Sequence, residues 1–308
     1  MQRMRARKGA RALSQEEPWR RASRSLHGAL VTSLLITGGS GSVGKAVAKD
    51  ALRIGFDRVC IYSRDELKQA QMAQEIRDHR IRFFLGDVRD RERLCRALEG
   101  VDCVVHAAAL KRVEAGEYNP AEFVKTNVVG TMNLIEAAHD AGVKRVVGLS
   151  TDKALSPQNA YGATKLMMER LLLAANNQSG RNGPAFAVTR FGNVAGSRGS
   201  VIETWRSLMA AGQTSLPVTD QRCTRYWLSP DSAVRIIWDA MNMMPVEPLV
   251  PTVPAFLVTD LAEAMQMPWH EIGLRPGESL HEQMGIADSS DVARRMTITE
   301  LARELENV

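Results

Sequence analysis

A tyrosine and a lysine, Tyr161 and Lys165, stand four residues apart at the start of a segment with a helical pattern. Residues with this spacing share one face of a helix, so the phenol and the ammonium are expected to lie close together. A free phenol has a pKa near ~10, and a neighbouring ammonium lowers that pKa because it stabilises the phenolate. We predict that Tyr161, assisted by Lys165, takes the proton from an alcohol while hydride leaves the carbon.

A second pair of acid–base groups lies upstream, in the sequence Ser150-Thr151-Asp152-Lys153. It directly follows a predicted strand, and open α/β sheets bind their ligands at the carboxyl ends of strands. Simple hydride transfer needs a hydroxyl here in addition to the tyrosine, but it does not need an acid beside an amine. The Asp-Lys pair therefore suggests proton transfers beyond oxidation. A surface turn with a solvated ion pair is the alternative interpretation.

A glycine-rich turn joins the first predicted strand, Ser33–Ile36, to a helix predicted over Val43–Arg53. Its glycines have the spacing GxxGxxG, which permits a tight turn, close approach of a pyrophosphate and close packing of helix on strand. The start of the helix offers unpaired N–H groups to phosphates. The turn is therefore predicted to bind a dinucleotide through Thr37, Gly38, Ser40, Gly41, Ser42, Val43 and Gly44.

The end of the second predicted strand, Arg58–Tyr62, bears on the choice between NAD and NADP. NAD enzymes usually place an acid here, against the ribose 2′-hydroxyl. In this chain Ser63 and Arg64 follow the strand, with Lys68 one turn further on, and a hydroxyl and a planar guanidinium suit a 2′-phosphate. Asp65 is an acid one residue late, which leaves NAD as the alternative to the predicted NADP.

Two further strand ends complete the predicted cofactor site. Asp87 and Val88 follow the third predicted strand, Ile81–Leu85, where a carboxylate can accept a hydrogen bond from the adenine amino group. The fourth predicted strand, Val101–Ala107, ends in small residues that let a cofactor lie against the backbone. These residues are Ala107, Ala108 and Ala109.

Short apolar runs alternate with longer amphipathic segments through the first two thirds of the chain. The remaining predicted elements are strands at Arg145–Leu149 and Ala185–Arg190 and helices at Pro120–Ala141 and Ala160–Asn176. Strands separated by helices predict an α/β fold, a Rossmann-type doubly wound parallel sheet. Eight of the twelve prolines lie beyond residue 190. We therefore assign residues 31–190 to an NADP-binding domain and residues 191–308 to a small substrate-binding cap region.

The net charge of +5 is concentrated at the start of the chain. Residues 1–28 carry a formal charge of about +6 and the remainder about −1, so a basic folded face and nucleic-acid binding are not predicted. We interpret residues 1–30 as a basic, disordered tail, with a transit peptide or a nucleic-acid-binding arm as alternatives.

The composition also argues against a membrane or metal-binding protein. No apolar run approaches the ~18 residues that a membrane span needs. The four cysteines lack the spacing of a metal site or of a disulfide framework. We therefore predict a soluble, cytoplasmic protein without a metal site.

Longer stretches of the sequence resemble the extended short-chain dehydrogenase/reductase superfamily. Within it, they resemble the inverting UDP-N-acetylglucosamine 4,6-dehydratases of pseudaminic acid synthesis, which are polysaccharide biosynthesis proteins. The resemblance runs from residue 34 to about residue 284 and includes YGATKLMMERL, and its most telling stretches are YSRDELKQ, STDKA and GLRPGE.

The resemblance implies a closed redox cycle in which NADP is regenerated at each turnover. Tyr161, assisted by Lys165, would deprotonate the sugar 4-hydroxyl as hydride passes from C4 to the cofactor. Lys153 would then remove the C5 proton, Asp152 would protonate the leaving 6-hydroxyl, and hydride would return to C6. Thr151 would form a hydrogen bond near O4.

The resemblance also implies a nucleotide-sugar substrate and contacts to its uridine and diphosphate. The residues concerned are Lys111, Asn193, Arg198, Arg225, Arg275 and Glu278. Guanidinium groups suit phosphate oxygens, although a structural ion pair is the alternative for each arginine. We expect the chain to form a homo-oligomer.

The chain departs from the family pattern at several positions, and two other functions stay open. Arg112 and Glu114 replace His and Pro, Glu203 replaces Pro, and Ser279 replaces Lys, which bears on the sugar pocket and on inversion at C5. A nucleotide-sugar 4-epimerase would need Tyr161 but not the Asp-Lys pair. A non-catalytic NADP-binding regulatory or scaffold protein is the second alternative.

Overall fold

The computed structural model of the chain describes residues 32–275, 277–285 and 288–308. The predicted tail, residues 1–30, lies outside the described residues, as does residue 31.

Six strands form one parallel sheet in the order β3-β2-β1-β4-β5-β6. They are β1 Ser33–Thr37, β2 Arg58–Ser63, β3 Ile81–Leu85, β4 Cys103–His106, β5 Arg145–Thr151 and β6 Ala185–Phe191. The predicted doubly wound Rossmann-type sheet is confirmed, and all six predicted strands are present.

Helices cover both faces of this sheet. The α-helices of the described residues are α1 Ser42–Ile54, α2 Glu66–Glu75, α3 Arg91–Leu98, α4 Val113–Tyr118, α5 Pro120–Phe123, α6 Gly130–Ala141, α7 Ala160–Gln178, α8 Val201–Ala210, α9 Pro230–Met243, α10 Val258–Ala264 and α11 Ile298–Leu305. Successive strand side chains point to opposite faces. Leu34 and Ile36 therefore pack in one buried cluster with α1 and α9, whereas Leu35 packs in the other with α3, α6 and α7.

Helix α9 lies beyond position 190 in the sequence but packs against the large sheet. Its buried side chains, including Ile237 and Met241, belong to the same apolar cluster as Leu34 and Val47. The Arg145 guanidinium of β5 donates a hydrogen bond to the Met241 carbonyl, 3.0 Å away. Part of the predicted 191–308 region thus forms a layer of the first domain.

A third apolar cluster lies in the C-terminal region. It joins α8, α10 and α11 around Trp205, Leu261 and Leu301. Short strands complete this region: β7 Leu216–Val218 pairs with β10 Trp269–Glu271, β8 Thr224–Tyr226 with β9 Ala255–Leu257, and β11 Gln283–Gly285 with β12 Asp288–Ser289. This lobe, which we call the cap, faces the carboxyl ends of the large sheet.

The helix predicted over Pro120–Ala141 is divided in the structure. A π-helical turn, Val124–Val129, separates α5 from α6. Such turns insert an extra residue into a helix and occur often at functional sites. No helix of the described residues is long and apolar enough to cross a membrane.

Candidate active site

The glycine turn after β1 packs closely against the end of β4. Gly38 has a φ of 65°, and a Cβ there would lie 2.8 Å from the Ala108 backbone. A Cβ on Gly44 would lie 2.6 Å from the Gly39 Cα, so this glycine lets α1 start against the turn. The strand order reverses between β1 and β4, and this switch point is where doubly wound sheets bind their ligands.

The start of α1 suits an anionic group. Its N-cap, Gly41, supplies no side-chain hydrogen bond, and the first turn holds no acidic residue. Gly41 and Ser42 are exposed. The Ser42 hydroxyl accepts a hydrogen bond from the Arg198 backbone N–H at 3.1 Å, which places the cap beside the glycine turn. The unpaired N–H groups and the helix dipole fit a phosphate.

The residues after β2 divide into buried and exposed groups. The Ser63 hydroxyl is buried and accepts hydrogen bonds from Ser40 (2.9 Å) and Gln69 (3.0 Å). The Arg64 guanidinium is half exposed, 3.4 Å from an Asp87 carboxylate oxygen. Asp65 instead caps α2, since it accepts from the Lys68 N–H and pairs with the Lys68 ammonium. Hydrogen bonds from Lys68 lower the pKa of Asp65.

The loop after β3 places Asp87 at the same edge. Arg89 donates to both carboxylate oxygens of Asp87, at 3.0 and 2.7 Å. Burial alone would raise the pKa of Asp87, but these hydrogen bonds and the Arg64 charge outweigh it and lower the pKa. Val88 is buried against Gly130 at the start of α6.

An asparagine in the π-helical turn holds the loop after β4. The Asn127 side chain accepts from the Leu110 N–H and donates to the Leu110 carbonyl, both at 2.9 Å. It also donates to the Thr164 hydroxyl of α7 at 3.0 Å. The loop with Ala107, Ala108 and Ala109 is thereby tied to the helix of the predicted catalytic tyrosine. Sequence reasoning did not single out Asn127, because its partners are remote in sequence.

Helix α7 carries Tyr161 into contact with the segment after β5. Gly162 lies so close to the Lys153 carbonyl that a side chain there would collide with it. The Tyr161 phenol shares a hydrogen bond with the Thr151 hydroxyl. Burial raises the pKa of Tyr161, and the Thr151 hydrogen bond and the Lys153 charge offset only part of this rise.

Lys165 lies on the same helix face but reaches deeper than expected. Its ammonium donates to the Leu149 carbonyl of β5 and contacts the Met168 sulfur at 3.0 Å. Burial lowers the pKa of Lys165 to about 7. The cation that acts on the Tyr161 phenol in this structure is Lys153, because the Lys165 side chain runs towards the sheet.

The Asp-Lys pair is not a solvated surface turn. The two residues lie in a short 3₁₀ turn after β5, and the Asp152 side chain is 2% exposed. One Asp152 oxygen accepts from Thr151 at 2.8 Å, and the other lies 2.9 Å from the Lys153 ammonium. The interpretation as a solvated ion pair is therefore wrong.

A glutamate that sequence reasoning missed completes this cluster. Glu282 lies directly before β11, with one oxygen 3.3 Å from the Lys153 ammonium and 3.5 Å from the Arg225 guanidinium. Burial alone would lower the pKa of Lys153, but the carboxylates of Asp152 and Glu282 raise it above its usual value. The stretch GLRPGESLHE contains Glu282, yet nothing local marked it as a partner of Lys153.

One cavity, with a volume of about 1240 Å³, lies between the large sheet and the cap. All the predicted nucleotide-sugar contacts line it, together with both members of the Asp-Lys pair. These residues are Lys111, Asp152, Lys153, Asn193, Arg198, Arg225, Arg275 and Glu278. The structure thus brings together residues from segments that lie far apart in the sequence.

Two of the departures from the family pattern make contacts at the rim of this cavity. Glu114 lies 3.3 Å from the Arg275 guanidinium, and both side chains are more than half exposed. Exposed pairs of this kind contribute only ~0–1 kcal/mol, so Arg275 stays available to a ligand. Glu203 accepts a hydrogen bond from the Gly199 N–H, and this bond stabilises the segment that carries Arg198.

The parallel sheet, the glycine turn at the switch point and the Tyr161–Lys165 pair define an enzyme of the short-chain dehydrogenase/reductase type. Residues 34–303 match the family model described as "Polysaccharide biosynthesis protein". The chain belongs to this family.

Comparison with named relatives defines the position of the chain within this family. The chain is 47% identical to the UDP-N-acetylglucosamine 4,6-dehydratase (inverting) of Campylobacter jejuni, over 84% of this chain and 78% of the relative. It is 37% identical to the UDP-glucose 4-epimerase of Rickettsia rickettsii, over 82% and 77% of the two chains. The predicted resemblance to inverting dehydratases is confirmed, and so is the prediction of an enzyme, a hydro-lyase of the 4,6-dehydratase type.

A solved structure shows the same fold with a dinucleotide. The DesIV double mutant, a dTDP-glucose 4,6-dehydratase from Streptomyces venezuelae with NAD bound, has a TM-score of 0.76 and 25% identity. The alignment covers 89% of this chain and 95% of that one.

Proposed function

We propose that this chain is an NADP-dependent UDP-N-acetylglucosamine 4,6-dehydratase that inverts C5 and serves pseudaminic acid synthesis. The observation that carries the proposal is the Asp152–Lys153 pair, a buried acid and a partly buried amine, in the wall of the cavity beside Tyr161. An epimerase needs only the tyrosine for its proton transfer at O4. A buried acid beside an amine adds the two groups that an elimination of water requires.

The residues at the switch point fit a nicotinamide dinucleotide. The uncapped start of α1 and the exposed Gly41–Ser42 backbone would hold the pyrophosphate, and Asp87 would face the adenine end. Ser63 and Arg64 would contact a 2′-phosphate. When bound, NADP supplies a hydride acceptor that returns the hydride later in the same turnover.

Tyr161 is the group that would exchange a proton with the sugar O4. Its phenol shares a hydrogen bond with Thr151 and lies near the Lys153 charge, and both lower its pKa against the effect of burial. Thr151 would keep its hydroxyl directed to the same oxygen. Lys165 donates to the Leu149 carbonyl rather than to the phenol, so the positive charge that acts on the phenol would be that of Lys153.

One proton transfer would prepare Asp152 and Lys153 for elimination. The Lys153 ammonium lies 2.9 Å from an Asp152 oxygen, so passing one proton between them yields a carboxylic acid and a free amine. The amine would take the proton from C5, which the adjacent ketone makes acidic. The acid would give its proton to the departing 6-hydroxyl, which leaves as water, and the original ion pair is restored.

The cavity would bind the nucleotide part of the substrate with its basic side chains. Arg225 is only 13% exposed and lies 2.8 Å from Glu278, which fixes its guanidinium towards the cavity. Arg198 and Arg275 are exposed at the rim, where they would meet the diphosphate.

Mass analysis of the sugar after incubation with UDP-N-acetylglucosamine tests the proposal. We expect a product lighter by one water, with deuterium at C5 when the solvent is heavy water. An isomer of unchanged mass would instead identify a 4-epimerase. An unchanged substrate would favour the non-catalytic alternative.

Replacing Arg64 with alanine is expected to remove much of the preference for NADP over NAD. The guanidinium is half exposed and free to turn from Asp87 to a 2′-phosphate. Hydrogen bonds to charged groups contribute ~1.5–3 kcal/mol, so the ratio of the two affinities should fall about 10- to 100-fold. The measurement is the dissociation constant of each dinucleotide, and equal affinities in the parent protein would contradict the NADP assignment.

A further inference from the structure

Glu282 is a buried carboxyl group beside Asp152 and Lys153 that has no part in the proposed mechanism. Its residue is 5% exposed, and it lines the same cavity as Asp152 and Lys153. It comes from the cap, 129 residues beyond Lys153 in the chain, and contacts Lys153 directly after β5. A buried carboxylate is costly unless cations or donors pair with it.

The Glu282 carboxylate contacts Lys153, a proposed catalytic residue, and Arg225, a proposed nucleotide contact. One oxygen lies 3.3 Å from the Lys153 ammonium and 3.5 Å from the Arg225 guanidinium. The other accepts from the Tyr226 backbone N–H at 3.4 Å. The Glu282 backbone N–H donates a hydrogen bond to the buried Ser290 hydroxyl at 2.8 Å.

We propose that Glu282 is a positioning residue for elimination: its carboxylate holds the Lys153 amine towards the cavity and joins it to the nucleotide-contacting Arg225. This inference rests on the proposed dehydratase function. Among the described residues, the ion-pair partners of Lys153 are Asp152 and Glu282. Without Glu282, its ammonium would be held by Asp152 alone, and its flexible side chain would be free to turn away from the substrate.

The charges around Lys153 make this role measurable. Asp152, Glu282 and the Tyr161 phenol face Lys153 and favour its ammonium form, whereas Lys111 opposes it. Glu282 itself faces Asp152, Lys153 and Arg225, and burial with the Asp152 charge raises its pKa. Above that pKa the carboxylate stabilises the ammonium, so losing it should lower the pKa of Lys153.

Glu282→Gln is the variant that tests the proposal, because it keeps the shape of the side chain and removes the charge. Its matched control is Glu278→Gln, since Glu278 lies 2.8 Å from Arg225 but makes no recorded contact with Lys153 in the described residues. The first measurement is the pH dependence of Lys153 acylation by trace acetic anhydride in the NADP-loaded enzyme, read by peptide mass spectrometry.

We expect Glu282→Gln to lower the midpoint of Lys153 labelling by about 1–3 pH units, because an opposite charge at this distance is lost. Glu278→Gln should leave the midpoint at the parent value.

In the dehydration assay, Glu282→Gln should lower kcat about 10- to 100-fold even though more of the amine is free, since the amine is no longer held in place. Glu278→Gln should act mainly on KM.

The outcomes separate this inference from the proposed function. A parent enzyme that dehydrates the sugar, with an unshifted labelling midpoint in Glu282→Gln, would overturn the role of Glu282. A parent that releases no water would overturn the proposed function, whatever the labelling shows. If Glu282→Gln does not fold, Glu282→Asp keeps the charge on a shorter side chain, and a parent-like kcat in that variant would equally overturn the role.

Discussion

Lys153→Met is expected to stop dehydration while oxidation at C4 remains possible. Elimination needs a base only after the ketone exists, and the base in our proposal is the Lys153 amine, 2.9 Å from its Asp152 partner. A general base typically contributes ~10²–10⁴-fold to a rate, so the loss should be easy to detect. The variant should show reduced-cofactor absorbance on mixing with substrate, without a dehydrated product and without deuterium at C5.

Tyr161→Phe is the control for this result, because it removes the proton acceptor of the first step. That variant should lose the absorbance signal as well as the product. Dehydration by Lys153→Met at close to the parental rate would rule out Lys153 as the base, and Asp152 or Glu282 would have to take the C5 proton.

Glu169→Gln should lower the free energy of unfolding by ~3–5 kcal/mol. Glu169 of α7 and Arg190 of β6 form a bidentate pair at 3.0 and 2.6 Å, with side chains 2% and 10% exposed. Ser150 also donates to Glu169, and Arg190 donates to the Met284 carbonyl of β11 at 2.9 Å. Removing the carboxylate leaves a buried guanidinium without its counter-charge.

Urea denaturation of the parent and of Glu169→Gln measures this effect. Glu122→Gln is the matched control, because Glu122 pairs with Arg89 and Lys125 at a site where its side chain is 45% exposed. Exposed pairs contribute ~0–1 kcal/mol, so the control should remain close to the parent. A similar, small change in both variants would show that the Glu169–Arg190 pair does not stabilise the fold.

The amino-acid sequence determined the strands of the large sheet and the glycine turn at its switch point. The strand patterns, the glycine spacing before Val43 and the residues directly after each strand are features of short segments. Short segments are governed by local sterics, alternation and helix-start chemistry, which act between residues a few positions apart. For the same reason, the Tyr161–Lys165 spacing predicted a shared helix face.

Only the tertiary structure decided the partners of the charged side chains. Lys165 turned towards the Leu149 carbonyl rather than the phenol, and Glu282 reached Lys153 from a segment 129 residues away. Helix α9 likewise joined the first domain because its apolar face fits against α1 and the sheet. The direction of a long side chain, and its pKa, depend on which distant groups exclude water from it and which charges they bring, and no local pattern in the sequence records those contacts.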